Sequence, residues 1–445
     1  MGNISFNINE INIVFSMNYF NQNKKSIIPL ILILLNTNLF FAQTKSSINY
    51  NQISGQELST RTNTITTAVP FLLISPDSRA GGMGDVGCAT SADVNSIHWN
   101  AAKLAFTDKQ MGFGVSYTPW LRALVPDINL AYLSGFYKTK KSGTIAASMR
   151  YFSLGDITFT DINGNTTGQF RPNEFAFDVA YAVKLGKSFS AGGAARYINS
   201  NLTGGTFVDG SATRPGRSFA VDISALYRKE KIKIGSKKAI LGIGTNISNI
   251  GAKMSYSDRG GKNNSDFIPI NLRLGTSLAI NIDDYNSIVF ALDANKLLVP
   301  TPPIYKIKTN PITGQPDGVA YDAAGNPIIL LGKDPKRPIA EGIFGSFSDA
   351  PGGYKEELRE INYAAGMEYW YNKLFAIRLG FFYEDPTKGN RQYFTLGAGV
   401  KYNVFGLDFA YLIPTQQRNP LENTLRFSLT FDFDAFKAQN DEKAE

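Results

Sequence analysis

Residues 82–87, GMGDVG, carry the spacing Gly82-x-Gly84-x-x-Gly87. A loop of that pattern lays backbone N–H groups against the phosphates of a dinucleotide. The chemistry needs a buried strand before the loop, a helix N-terminus after it and an acidic group near the ribose. Val69–Ile74 offers an apolar run, but Pro76-Asp77-Ser78-Arg79 intervenes, and CATSADVNSIHW leaves room for a short helix at most. A second candidate chemistry is acyl hydrolysis, with His98 as base, Ser96 as nucleophile and Asp93 as orienting group. It requires the serine within hydrogen-bond reach of the imidazole. A third is cation binding by Asp156, Asp161, Asn163 and Asn165 in SLGDITFTDINGNTTG. The EF-hand spacing and its terminal Glu are missing, so a turn-rich surface loop is expected there.

Composition narrows these options. The 445 residues include one cysteine, Cys88, and one histidine, His98. An intramolecular disulfide, a multi-cysteine zinc site and a two-histidine metal site are therefore excluded. We expect no catalytic residue, no metal and no cofactor: the reading is not an enzyme. The formal net charge is +8. Its Lys and Arg residues are scattered among turns rather than clustered with aromatics, which argues against nucleic acid and leaves membrane lipids, lipopolysaccharide included, as the anionic neighbours.

Residues 17–42 have the form of a secretory signal peptide. Lys24-Lys25 precede the apolar run Ser26–Leu35, and Phe40-Phe41-Ala42 before Gln43 is the expected cleavage site. The apolar run of about ten residues is too short to span a bilayer as a helix. Residues 1–16 precede the better-placed Met17 and are read with the leader, 1–42, as lying outside the mature protein. No later segment has 18 consecutive apolar residues, so a mature chain in a membrane must be a β-barrel.

The segment from Lys109 onward alternates with period two. Phe175, Phe177, Val179, Tyr181, Val183 and Leu185 share one face of their segment; Ala176, Asp178, Ala180, Ala182 and Lys184 share the other. Phe375, Ile377, Leu379, Phe381 and Tyr383 likewise oppose Ala376, Arg378 and Gly380. Large apolar residues on one face and small or charged ones on the other fit lipid outside and a packed lumen inside. Substitution of Leu379 by Arg should therefore impair assembly, and Gly380 should accept Ser. Fourteen such segments begin near 109, 126, 142, 173, 188, 216, 239, 267, 286, 359, 373, 391, 405 and 422. Alternate connections are short, as periplasmic turns are, and the intervening ones long, as extracellular loops are. RKEKIKIGSKKA (228–239) is the exception on the short side and reads as an extended hairpin.

The expected architecture is all-β: a 14-stranded antiparallel outer-membrane β-barrel with a short N-terminal hatch or plug. The N-terminal segment and hatch occupy 43–108, the barrel 109–434, and a periplasmic tail 435–445. The longest extracellular loop, 299–358, holds nine prolines between Pro300 and Pro351. Its hydrophobic residues Ile328, Ile329, Leu330, Leu331, Phe344 and Phe347 are expected to be exposed for a protein partner.

The stretch 68–106 resembles the hatch of the fatty-acid-transporter-like outer-membrane barrels. Arg79, Ala80, Gly82, Met83, Gly84, Asp93, His98, Trp99, Asn100, Ala101, Leu104 and Ala105 stand in that motif. The family's Pro-Ala-Gly after the Asn is Ala101-Ala102-Lys103 here, a departure expected to loosen the turn. FLLISPDSRAGGMGDVG is most similar to the shuttle barrels of the Bacteroidetes type IX secretion system. The resemblance implies a structural role for the hatch, and the glycines then serve close packing. It also implies a non-enzymatic barrel in the outer membrane of a Gram-negative bacterium. Its partners would be the type IX translocon barrel, secreted clients with C-terminal signal domains, and the surface attachment complex with its sortase. Two alternatives remain open: a passive transporter of hydrophobic compounds and an outer-membrane acyl hydrolase.

Overall fold

In a computed structural model of the chain, the described residues are 61–433, apart from 123–124, 126, 140–142, 161–162, 206, 209–210, 258–264, 311 and 417–418. The expected leader, 1–42, and tail, 435–445, lie outside them.

Fourteen strands close into one antiparallel barrel. They are β1 (Met111–Pro119), β2 (Ile128–Thr139), β3 (Gly143–Leu154), β4 (Asn173–Lys184), β5 (Phe189–Asn201), β6 (Gly216–Ile234) and β7 (Lys237–Gly251). There follow β8 (Asn271–Asn281), β9 (Asn286–Leu297), β10 (Ile361–Tyr371), β11 (Phe375–Tyr383), β12 (Gln392–Tyr402), β13 (Phe405–Pro414) and β14 (Leu425–Asp432). Each pairs with its neighbour in sequence. The ring closes where β1 meets β14, with Phe113 opposite Phe431 and Tyr117 opposite Phe427. At roughly 3.3 Å per residue and a tilt of about 40°, an eleven-residue strand rises about 28 Å, enough to cross an apolar band of about 25 Å.

The two faces separate as the alternation predicts. Phe177, Val179 and Tyr181 of β4 are exposed, whereas Ala176, Asp178, Ala180 and Ala182 are buried. On β11, Phe375, Ile377 and Leu379 point outward and Arg378 is fully enclosed. A chain that exposes this much aromatic surface belongs in lipid, where burial in the acyl layer replaces a protein core.

The connections also alternate. At one end they are tight, such as the three residues 372–374, where Asn372 and Lys373 both have φ near +50° as in a type I′ turn. The basic exception at 228–239 resolves in the same way: β6 and β7 continue to a turn of Gly235-Ser236, giving an extended hairpin. At the other end lie the long loops. The longest contains two small hairpins, pairing Ile304–Tyr305 with Ile329–Leu331 and Ile307–Thr309 with Pro316–Val319. Two short helices follow, α1 (Ile339–Gly345) and α2 (Tyr354–Arg359).

Candidate functional site

The lumen is filled by residues 61–107. The segment starts among the long loops: Asn63 donates from its backbone to the Thr387 carbonyl and from its side chain to the Pro302 carbonyl. Phe71 and Leu72 then pack with Leu130, Phe152, Ile198, Met254 and Ile268 in an apolar cluster. The segment leaves at the opposite end, where Lys138 Nζ donates to the Thr107 carbonyl (2.6 Å), just before β1.

Between these ends the glycine motif is a packing surface. A Cβ on Gly82 would stand 3.0 Å from the Gly397 Cα, and one on Gly84 would stand 2.7 Å from the Phe381 nitrogen. Gly84 also has φ +73°, which a side chain disfavours. A Cβ on Gly87 would meet the Trp99 ring at 2.2 Å. Backbone amides that could cradle a phosphate are already engaged. Gly84 N–H donates to Thr395 Oγ1 (2.8 Å), and the N–H groups of Gly87 and Cys88 donate to Asp293 Oδ2 (2.9 Å each). The dinucleotide reading falls on this geometry.

Gly380, expected to tolerate a larger residue, does not have the space. Its Cβ would lie 2.0 Å from the Gly84 nitrogen, because this is where plug and wall touch.

Charged residues lock the plug in place. Arg79 donates through Nε and Nη2 to both oxygens of Glu368 (2.9 and 2.8 Å) and through Nη1 to Asp93 (2.8 Å). Arg378 shares Glu368 (2.7 Å) and also reaches Asp408 (2.7 Å). Asp85 accepts from Tyr393 (2.6 Å) and pairs with Arg426. Trp99 Nε1 donates to Asp77 (2.7 Å), and Asn100 Nδ2 donates to the carbonyls of Cys88 (2.9 Å) and Ala225 (3.1 Å). Arg378 joins strands of the wall through Glu368 and Asp408; the other bonds lie within the plug or join it to the wall.

The turn after Asn100 is not loose. Asn100 Oδ1 accepts from Ala102 N–H, and a 3₁₀ helix runs Ala101–Phe106. Lys103, standing where the family has glycine, is buried and donates to the Gly87 carbonyl (2.8 Å) and Thr90 Oγ1 (2.9 Å). It ties the turn to the glycine loop. Nothing in the spacing announced this role; a lysine inside an otherwise small-residue motif was the available signal.

His98 is also structural in its contacts. Arg150 Nη2 lies 3.1 Å from its Nδ1, which must accept because a guanidinium only donates. Burial and then the charge of Arg150 hold its pKa well below the ordinary value, so the ring is neutral. Ser96 Oγ bonds Asp93 Oδ1 (3.1 Å) and Asp93 N–H (2.9 Å) instead of His98. The serine–histidine pair of a hydrolase is not assembled. In the loop considered for a cation, Asp156 forks with Arg171 (2.7 Å twice); Asp161 lies outside the described residues.

The second constellation clamps the long loop to the rim. Glu360 accepts from Lys296 (2.6 Å), Lys388 (2.9 Å) and Thr301 (2.7 Å). Glu357 accepts from Lys296 (3.0 Å) and from the N–H groups of Asp349 and Ala350. Glu356 accepts from Lys388 (2.6 Å) and from Asn63 of the plug (2.9 Å). Arg337 holds Asp349 (2.6 Å), and Ile339 and Ile343 of α1 pack on the cluster around Phe267. The expected partner residues divide here. Phe344 (79% exposed) and Phe347 (51%) are open to solvent, with Tyr354 and Leu358 near them in sequence. Ile328 to Leu331 are only half-exposed, because Ile329–Leu331 form a strand and Ile328 bonds Lys306 and Ala320. Sheet pairing took up a run that composition alone left free.

Fold and site together define an outer-membrane β-barrel with a charged, hydrogen-bonded plug in its lumen. Residues 57–304, more than half of the chain, match the family Type IX secretion system protein PorV, and the chain belongs to that family. No curated protein sequence matches it. Among solved structures, it is similar to the Pseudomonas putida toluene transporter TodX, at 12% identity, over 83% of this chain and 98% of that one, with a TM-score of 0.43. It is also similar to a Pseudomonas aeruginosa FadL homologue (10%, 84% and 100%, 0.40) and to the Ralstonia pickettii toluene transporter TbuX (12%, 80% and 96%, 0.41).

Proposed function

We propose that this barrel works without catalysis as the shuttle component of a type IX secretion system in a Bacteroidetes outer membrane. It associates with the translocon barrel, receives clients through their C-terminal signal domains and brings them to the surface attachment complex and its sortase. The observation that carries this reading is the long loop: a folded structure, clamped at its base by buried ion pairs, that leaves Phe344 and Phe347 exposed. Aromatic anchors on a preordered support favour binding, because little side-chain and loop entropy remains to be lost. The lumen supports the same reading over an apolar channel. Arg79 and Arg426 are tied to carboxylates across the plug–wall contact, and Arg378 to carboxylates of the wall beside it, so a greasy path would have to break several buried pairs at once.

The test is a pair of substitutions, Phe344→Asp and Phe347→Asp, made together. The barrel should still reach the outer membrane and remain heat-modifiable on gels. Co-purification of a very large barrel from native membrane should fall at least tenfold, and clients should collect in the periplasm. Normal secretion and undiminished co-purification would remove the loop from the contact. Deleting 325–350 would be a poorer test, since it also removes Ile339, Ile343 and Arg337 from the packed base.

A further inference from the structure

The extended hairpin of β6 and β7 has no part in the plug or in the long-loop clamp. Its sequence from Lys229 to Lys238, KEKIKIGSKK, places five lysines in ten residues. Lys229, Lys231, Lys233, Lys237 and Lys238 are all exposed, and among the described residues none has an ion pair. The one acid of the stretch, Glu230, is paired with Arg228 (3.3 Å). Lys233 stands directly opposite Lys238 in the ladder. Like charges in that position repel. A nearby anion relieves such repulsion; within the chain Asp283 of the next turn acts on Lys237.

The register sets what lies beside these lysines. Ile243 faces outward, and its parity continues through Leu241 to Ala239 and Lys237. Across the ladder Ile232 pairs with Ala239, and Ile234 with Lys237; on the other side Ala239 pairs with Ile280. Ile234 and Ile282 are substantially exposed on this face. Isoleucines of the outer wall thus reach the hairpin tip, interrupted by the buried Ala239 and flanked by lysines: Lys229 and Lys237 on the same face, Lys233 and Lys238 on the opposite one. Isoleucines at acyl depth with flexible ammonium groups at their margin match a membrane interface, where lysine stems lie along apolar surface and heads reach the phosphates.

We propose that this hairpin is a binding site for anionic phospholipid headgroups in the leaflet at the short-turn end of the barrel. The lipid phosphate sits by Lys229 and Lys237, Lys233 and Lys238 add positive charge from the other face, and the acyl chains lie on Ile232, Ile234, Ile280 and Ile282. The site holds the barrel at a fixed depth and enriches anionic lipid on one arc of its rim.

The test uses the purified full-length barrel in mild detergent, titrated with phosphatidylglycerol and, separately, phosphatidylcholine, with bound lipid counted by native mass spectrometry. Wild-type protein should retain at least tenfold more phosphatidylglycerol, and retention should fall as salt rises. Changing all five lysines to Gln should remove the preference while heat-modifiable migration stays normal. The corresponding Lys→Arg variant should keep it, and Ile234→Asn should weaken it with every charge in place. If the Gln variant fails to fold, the pair Lys229→Gln and Lys237→Gln, with the wild-type salt series, carries the same decision. Equal retention of the two lipids by wild type overturns the proposal. So does displacement of the lipid by inorganic phosphate at the same ionic strength, or unchanged lipid retention in the Gln variant accompanied by loss of an acidic protein from native pull-downs.

Discussion

At Gly84 the backbone has a left-handed φ and the Phe381 nitrogen stands where a Cβ would go. Gly84→Ala should therefore cost about 1–3 kcal/mol from overpacking alone, with further strain from the backbone. Gly325→Ala is the control, since that glycine also has positive φ but nothing within 4 Å. The heat-modifiable fraction of outer-membrane protein should drop for the first and stay near normal for the second; equal loss would mean that φ rather than contact decides. The Arg79–Glu368 pair makes a second prediction. Arg79→Ala leaves a buried carboxylate with Arg378 as its remaining arginine partner, and losing one member of a buried pair costs about 3–5 kcal/mol. Adding Glu368→Gln should recover part of that loss, measured by denaturant midpoint in detergent. A double variant as unstable as the sum of the single ones would show that the two residues do not act together. Lys103 marks where sequence reading stopped. Its neighbours in the motif are small, and a lysine there reads as a loosened turn until the Gly87 carbonyl is seen 2.8 Å from its ammonium.

Strands were more legible than contacts. Period-two alternation of large against small residues placed fourteen strands within about four residues of their observed starts, because in a barrel each face meets one uniform environment. The long loop was not legible in that way. Its hairpins and helices are held by pairs such as Lys296–Glu360 and Lys388–Glu356, whose partners lie 64 and 32 residues apart and leave no local pattern. Those groups give the loop a pH dependence. Burial, against the pull of Arg337, pushes the Asp349 carboxyl up to about 6, and burial also raises Glu357 despite Lys296. Folded-state values above the unfolded ones mean that the protonated forms favour the docked loop. Its attachment is strongest below the ordinary carboxylate range and weakens as pH rises through about 6. Glu356 has the opposite sign: burial raises it, but Lys388 and Asn63 outweigh that and lower it, so its contribution is lost only in more acidic solution. Hydrogen exchange over 339–358, corrected for intrinsic rates, should thus be slower at pH 5 than at pH 7.5. Faster exchange at pH 5 would mean that the lysine pairs govern the loop instead.

For the whole molecule, the outward face is the feature to test. Leu379→Arg puts a guanidinium on the lipid-facing wall and should impair assembly by about 2–4 kcal/mol if it lies near the midplane. Arg at the exposed loop position Ile312 should be mild. Comparable loss at both would contradict the assignment of faces. The plug, too, has a consequence at this scale. Residues 61–107 run through the lumen from the long-loop end to the short-turn end, then continue directly into the first strand. Several of their partners come from the last strands to be made: Thr395 for Gly82 and Gly84, Ser428 for Ser78, and Arg426 for Asp85. Residues 61–107 therefore gain these partners only when the latest strands are in place, the same strands that close the β1–β14 seam. Such distant pairings make for slow assembly. A nascent barrel stalled before β14 would have its plug without its final fastenings and its seam unsewn, so chain completion, closure and sealing of the pore become a single event.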